Sequence, residues 1–175
     1  MCDYKCKIPQ FNDGDVILVH NYTDSLNPLP LLIQSFTRCY YHHCAIILGG
    51  FVYESTAKGV GCTSSIEDYF KEIGSKREVA IVRPDHFYYA NLTKQVGLPY
   101  GFWSLPVQSV NQIIDVYLGS SNPNSRNCSQ FVAQCIGYKD WAKIDPQDIF
   151  RDHEDKIIYE SAPKRRKYIN NKLNS

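Results

Sequence analysis

The stretch His43-Cys44-Ala45-Ile46-Ile47-Leu48, Gly49-Gly50, Phe51-Val52-Tyr53-Glu54-Ser55 narrows what this chain can fold into more than any other. Two apolar, strand-forming runs flank a Gly-Gly pair, and a two-residue hairpin turn needs the positive φ that glycine supplies. Counting outward from the turn pairs Leu48 with Phe51, Ile47 with Val52, Ile46 with Tyr53 and Ala45 with Glu54. Side chains alternate between the faces of a strand, so His43 and Glu54 share a face and lie one diagonal step apart. His42 points to the other face. The hairpin thus brings an imidazole and a carboxylate together.

The pattern around the hairpin is mixed. Gly14-Asp15-Val16-Ile17-Leu18-Val19-His20 reads as a turn feeding a buried strand, with a structural role for Asp15 favoured over one lining the site. A polar, proline-broken connection (24–30) leads to a short helical piece, Leu31 to Phe36. Ser64 or Ser65 caps a helix that carries Glu67 and Asp68 in its first turn. Val79 to Val82 is a strand stopped by Pro84, and residues 86–96 are helical until Leu98-Pro99-Tyr100-Gly101 breaks them. Residues 107–118 again have helical spacing. Asp145 followed by Pro146 starts a short helix, and Ile157 to Tyr159 forms a last strand. At 175 residues this predicts one α+β domain over 13–160, with an N-terminal extension (1–12) and a basic tail (161–175).

The second informative stretch is Asn127-Cys128-Ser129-Gln130-Phe131-Val132-Ala133-Gln134-Cys135-Ile136. Apolar residues at 128, 131, 132, 135 and 136 follow the rhythm of an amphipathic helix. Asn127 and Gln130 have the spacing of a capping box, which places Cys128 in the first turn. A thiol beside unpaired backbone N–H groups, at the positive end of the helix dipole, ionises more easily, and the thiolate is the nucleophile. With His43 as base and Glu54 to orient it, Cys128 completes the residue set of a thiol hydrolase or acyltransferase.

Composition limits the alternatives. A formal net charge of +1 with 43% hydrophobic residues gives no global attraction to nucleic acid, and no nucleic-acid partner is expected. No apolar run approaches the length of a membrane-spanning helix, and residues 1–7 lack the apolar stretch of a signal peptide. Seven cysteines, an odd number, argue against a disulfide framework. Of the sequons at Asn21, Asn91 and Asn127, the third would set a glycan beside Cys128. The expectation is a cytoplasmic protein with free thiols. The basic tail from Lys164 is expected to fray, offering at most weak contact with a membrane surface.

Bland readings stand beside the chemical one. A buried cysteine is usually core filler, a strand histidine usually structural, and Glu54 alone could be an exposed strand carboxylate. Cys39, His42, His43 and Cys44, with Cys2 and Cys6, form a thiol–imidazole cluster that raises zinc binding. Neighbours on a strand diverge, however, and the spacing departs from the usual ligand pairs, so neither metal nor cofactor is expected. A second rival is a catalytically silent binding or scaffold module.

The motif order resembles a known family. The Gly14-Asp15-Val16-Ile17 strand, Ile33-Gln34, His43-Cys44-Ala45-Ile46-Ile47, Val52-Tyr53-Glu54-Ser55, Val79-Ala80-Ile81-Val82-Arg83, Gly97-Leu98-Pro99-Tyr100-Gly101-Phe102 and Asn127-Cys128-Ser129-Gln130-Phe131-Val132 are similar to the circularly permuted YiiX/YaeF-like branch of the NlpC-type papain-like superfamily. That branch also holds a poxvirus member and the lecithin:retinol acyltransferase group. The resemblance covers about residues 13–150 and implies a permuted papain-like fold, in which a small antiparallel sheet packs against the nucleophile's helix. It carries the nucleophile onto Cys128, the base onto His43 and the orienting acid onto Glu54. Position 130 is Gln where bacterial members carry Glu, and Gly101 stands where an Asp is common. The implied substrate is a small-molecule, peptide or lipid amide or ester, with hydrolysis and acyl transfer both open. Tyr100 is a candidate for oxyanion or substrate contact, with core packing as its alternative role.

Overall fold

Val16-Ile17-Leu18-Val19, Ala45-Ile46-Ile47 and Val79-Ala80-Ile81-Val82 are continuous apolar runs, and strands of that kind need cover on both faces. The computed structural model describes residues 10–21, 40–71, 73, 77–101 and 124–162, and in it both faces are covered. Among these residues six strands form one antiparallel sheet: β1 (Val16–Asn21), β2 (His43–Leu48), β3 (Phe51–Thr56), β4 (Gly59–Ser65), β5 (Arg77–Val82) and β6 (Ile157–Glu160). Their order is β4-β3-β2-β1-β5-β6. Four α-helices accompany them: α1 (Ile66–Lys71), α2 (Tyr89–Gln95), α3 (Cys128–Cys135) and α4 (Pro146–Asp152). The mixed α/β architecture agrees with the α+β expectation.

Strand alternation sorts the core into two layers. Val16, Leu18, Cys44, Ile46, Ala80 and Val82 pack against Phe131, Val132 and Cys135 of α3 and Ile149 and Phe150 of α4. Ile17, Val19, Ala45, Ile47, Val79 and Ile81 face the other way, toward Tyr69 of α1. Full burial of side chains such as Phe131 and Val132 stabilises the fold by roughly 1.5–3 kcal/mol each and fixes α3 against β1 and β2. Among the described residues no helix is long and apolar enough to cross a membrane.

The hairpin forms in the expected register, with Leu48–Phe51, Ile47–Val52, Ile46–Tyr53 and Ala45–Glu54 paired. Gly49 and Gly50 sit at φ 59° and 78°, the left-handed conformation that a two-residue turn demands at both positions. Asp13 Oδ1 accepts the Gly49 N–H at 2.7 Å and pins the turn. Asp15 has the structural role expected of it. Its carboxylate, 1% exposed, takes Arg83 Nε and Nη2 at 2.8 Å each and the Asn12 N–H at 2.7 Å.

Helix starts follow their caps. Asn127 Oδ1 accepts from Gln130 N at 2.9 Å, and Gln130 Oε1 takes the Asn127 N–H at 3.3 Å. Asp145 and Asp148 form the same box around Pro146. Ser65 caps α1 by accepting from Asp68 N at 3.1 Å. Strand β4 has no counterpart in the sequence pattern, because Gly59 and Gly61 interrupt its alternation. The helical segments expected at 31–36 and 107–118, the basic tail from Lys164, and Cys2, Cys6 and Cys39 lie outside the described residues.

Candidate active site

The β2–β3 ladder stops at the Ala45–Glu54 pair, after which Ser55 and Thr56 pair only with β4. The chain leading into α3 docks beside β3 at this end, where Ser55 Oγ donates to the Arg126 carbonyl at 2.7 Å. The first turn of α3 is thereby set against the start of β2. Cys128, at the first helical position, is 6% exposed and borders both His43 and Cys44.

His43 bridges the other two expected members of the site. Its Nε2 lies 2.5 Å from Glu54 Oε2, the diagonal contact that the hairpin register implies. The imidazole is also coupled to Cys128 by a side-chain hydrogen bond and by charge. The His43 side chain keeps 22% of its surface open and Glu54 12%, so the acid lies beneath a ring that solvent or substrate can reach. His42 turns away, as alternation requires, with its ring edge-on to His20 at 5.8 Å. Burial, and then the charges of His43 and His20, push the His42 pKa down to about 3.

The electrostatics describe an ion pair. Burial works against the His43 cation, but the Cys128 charge and hydrogen bond, followed by Glu54, outweigh it and raise the imidazole to about 10. A hydrogen bond from Cys44 is the largest influence that holds the Cys128 thiol well below its ordinary value. Burial opposes this shift, while the His43 charge and hydrogen bond and the Cys44 N–H reinforce it. Cys44 responds in the opposite direction: burial and its bond to Cys128 raise it, so it stays a thiol and donates S–H. Burial would also raise Glu54, but the bond and charge of His43 and the bond from Thr63 leave it below the usual carboxylate range.

Tyr100 is held next to the segment that leads into α3. It bridges Arg126, and the Gly101 N–H donates to the Arg126 carbonyl at 2.9 Å. Burial first, then the charges of Cys128 and Cys44, raise its phenol.

Cys128, His43 and Glu54 are therefore neighbours, and Tyr100 lies within reach of the Cys128 charge. Sequence reasoning missed two partners. Thr63 occupies the bulge where β4 shifts register against Val52 and Tyr53, and its hydroxyl donates to Glu54 Oε1 at 2.7 Å. Bulges re-aim side chains in this way. A second hairpin around Ala57-Lys58 was the signal that could have located it, since Thr56 pairs with Gly59 and Glu54 with Gly61. Cys44 was weighed only as a metal ligand. Alternation along β2 sets Cys44 on the α3 side of the sheet, in the same cluster as Cys128. Among the described residues no group of three or more His, Cys, Asp or Glu side chains is arranged to hold a metal ion.

Neither a protein-family model nor a curated protein matches this chain.

Proposed function

We propose that this protein is a cysteine-dependent hydrolase or acyltransferase that cleaves an amide or ester bond through an acyl-thioester on Cys128. The observation that carries the reading is the His43 imidazole coupled on one side to Cys128 and on the other to Glu54. A structural histidine has no need of both partners. The resemblance of the motif order to the permuted papain-like branch supports the same reading and the permuted papain-like fold that goes with it.

The steps follow from the geometry. Glu54 holds Nε2, which leaves Nδ1 as the ring nitrogen for the sulfur and sets the orientation of the ring. The Cys128 thiolate attacks the carbonyl carbon, and the new C–S bond moves an electron pair onto oxygen. The Cys128 backbone N–H, unpaired at the first turn, and the Tyr100 hydroxyl are the donors offered to that oxyanion. On collapse, His43 passes its proton to the departing nitrogen or oxygen. Water or an acceptor amine or alcohol then gives a proton to His43, attacks the thioester and releases the Cys128 thiolate. The substrate class is a small-molecule, peptide or lipid amide or ester, and the chemistry asks for no cofactor.

Acyl capture tests the proposal. The protein is incubated with p-nitrophenyl acetate, a long-chain p-nitrophenyl ester and an acyl anilide, then quenched in acid and mapped by mass spectrometry. An acyl group on Cys128 is expected in the wild type and absent in Cys128→Ser and His43→Ala. Acylation spread over exposed Cys62 and lysines, with Cys128 untouched, would contradict it.

A further inference from the structure

Cys44 and Cys128 meet where α3 packs on β2. Both belong to the core layer on the α3 side of the sheet, Cys44 fully buried and Cys128 6% exposed. The Cys128 sulfur receives both the thiol and the backbone N–H of Cys44. Cys44 is fixed by its strand, where it stands opposite Leu18 of β1. Cys128 opens α3, so no helical bond of its own N–H opposes a small shift. A hydrogen-bonded pair of sulfurs has only to shorten to the ~2.05 Å of a covalent S–S bond.

The two thiols are unlike, and the difference sets an order of events. Cys128 is the one that solvent reaches, and the bonds from Cys44 and His43 favour its thiolate. Burial and the same bond keep Cys44 a thiol. A thiolate beside a second thiol is the arrangement that makes cysteine oxidation reversible, because the first sulfur is oxidised and the second resolves it. Two further cysteines provide internal controls. Cys135, buried in α3, has Gln95 Nε2 at 3.5 Å from its sulfur, and Cys62 is exposed on β4.

We propose that Cys128 and Cys44 form a reversible oxidation site, in which a hydroperoxide oxidises Cys128 and Cys44 closes it to a disulfide. The Cys128 sulfur attacks the terminal oxygen of the hydroperoxide. An S–O bond forms as the O–O bond breaks, and the departing alkoxide or hydroxide takes the His43 proton and leaves as an alcohol or water. The sulfur has given two electrons to the peroxide and stands as a sulfenic acid. Cys44 then attacks that sulfur; S–S forms, S–O breaks, and the hydroxyl departs as water with the Cys44 proton. Two equivalents of an external thiol reduce the bond and return both cysteines. The disulfide occupies the sulfur that attacks a carbonyl, so oxidation silences the site. That consequence, unlike the bond itself, rests on the reading of Cys128 as the nucleophile.

The test treats the reduced full-length chain with hydrogen peroxide, blocks remaining thiols with N-ethylmaleimide in denaturant, and maps the non-reduced digest by mass spectrometry. A peptide pair linked through Cys44 and Cys128 is expected, with Cys62 and Cys135 still blocked as thiols and the link lost in dithiothreitol. Cys44→Ser keeps the size of the side chain and removes the resolving sulfur. In that variant dimedone should trap a sulfenic acid on Cys128, and excess peroxide should carry it to a sulfinic acid that dithiothreitol does not reverse. Acyl capture by p-nitrophenyl acetate, run on the same samples, separates the two readings. Wild-type acylation of Cys128 that peroxide abolishes and dithiothreitol restores supports both. A linked pair in a protein whose reduced Cys128 takes no acyl group supports the oxidation site and contradicts the nucleophile. An acylated Cys128 that peroxide never links to Cys44, a link from Cys128 to another cysteine, or equal irreversible oxidation in wild type and Cys44→Ser would overturn the inference.

Discussion

Thr63 Oγ1 donates to Glu54 Oε1 at 2.7 Å, the carboxylate oxygen that His43 does not use. The acid is thus held by both of its oxygens, and its orientation is passed to the His43 ring. Thr63→Val keeps the shape and removes this bond. Acylation of Cys128 is expected to slow by about tenfold, on the scale of one hydrogen bond to a charged group, and Thr63→Ser should restore it. An unchanged rate in Thr63→Val would show that Glu54 does not depend on the bulge of β4.

The Cys44 thiol is the foremost influence lowering Cys128, so its removal has a defined sign. In Cys44→Ala the pH midpoint of Cys128 alkylation should rise, while Cys44→Ser, which keeps a donor, should rise less. The lost sulfur also leaves a small cavity, costing about 1 kcal/mol in a urea melt. Equal midpoints in Cys44→Ala and wild type would reduce Cys44 to core packing.

Stability against pH follows from the same shifts. His43, raised to about 10, binds its proton more tightly in the folded state, so its contribution is full below about 6.5 and lost as pH rises through about 10. Cys128 is depressed, so its contribution is full above about 8.5 and lost as pH falls through its folded value. Between about 6.5 and 8.5 folding takes up one proton on His43 and releases one from Cys128, and the two slopes cancel. The stability difference between wild type and His43→Gln/Cys128→Ser, read from urea midpoints, should therefore plateau there and fall on both sides. A difference without a falling alkaline limb would mean that the pair is neutral.

The hairpin register was legible because two glycines allow only a short turn, and with the register came the His43–Glu54 contact. The start of α3 was legible because Asn127 and Gln130 carry their capping geometry locally. Thr63 was hidden by Gly59 and Gly61, which erase the alternation of β4, and by a bulge that no period reveals. Cys44 was hidden for a different reason. Its contact with Cys128 depends on which face of the sheet α3 covers, a property of the assembled fold.

Asn127 holds the helix start, through Gln130 N at 2.9 Å and Ser129 Oγ at 3.1 Å. Asn127→Ala should cost about 1 kcal/mol of stability. Asn127→Asp should keep the cap but set a carboxylate next to the thiolate, moving the Cys128 alkylation midpoint up. If the midpoint of Asn127→Asp stays put, the helix start does not tune the thiol.

The thiolate–imidazolium pair is the centre of this account, and iodoacetamide alkylation from pH 5 to 9, resolved by cysteine, reads it most directly. Wild type and His43→Ala are compared, with exposed Cys62 as the internal reference. Cys128 should stay reactive near pH 6 in the wild type and lose that reactivity in His43→Ala. A Cys128 that titrates near 8.5 like a free thiol, or the same profile in both proteins, would contradict it.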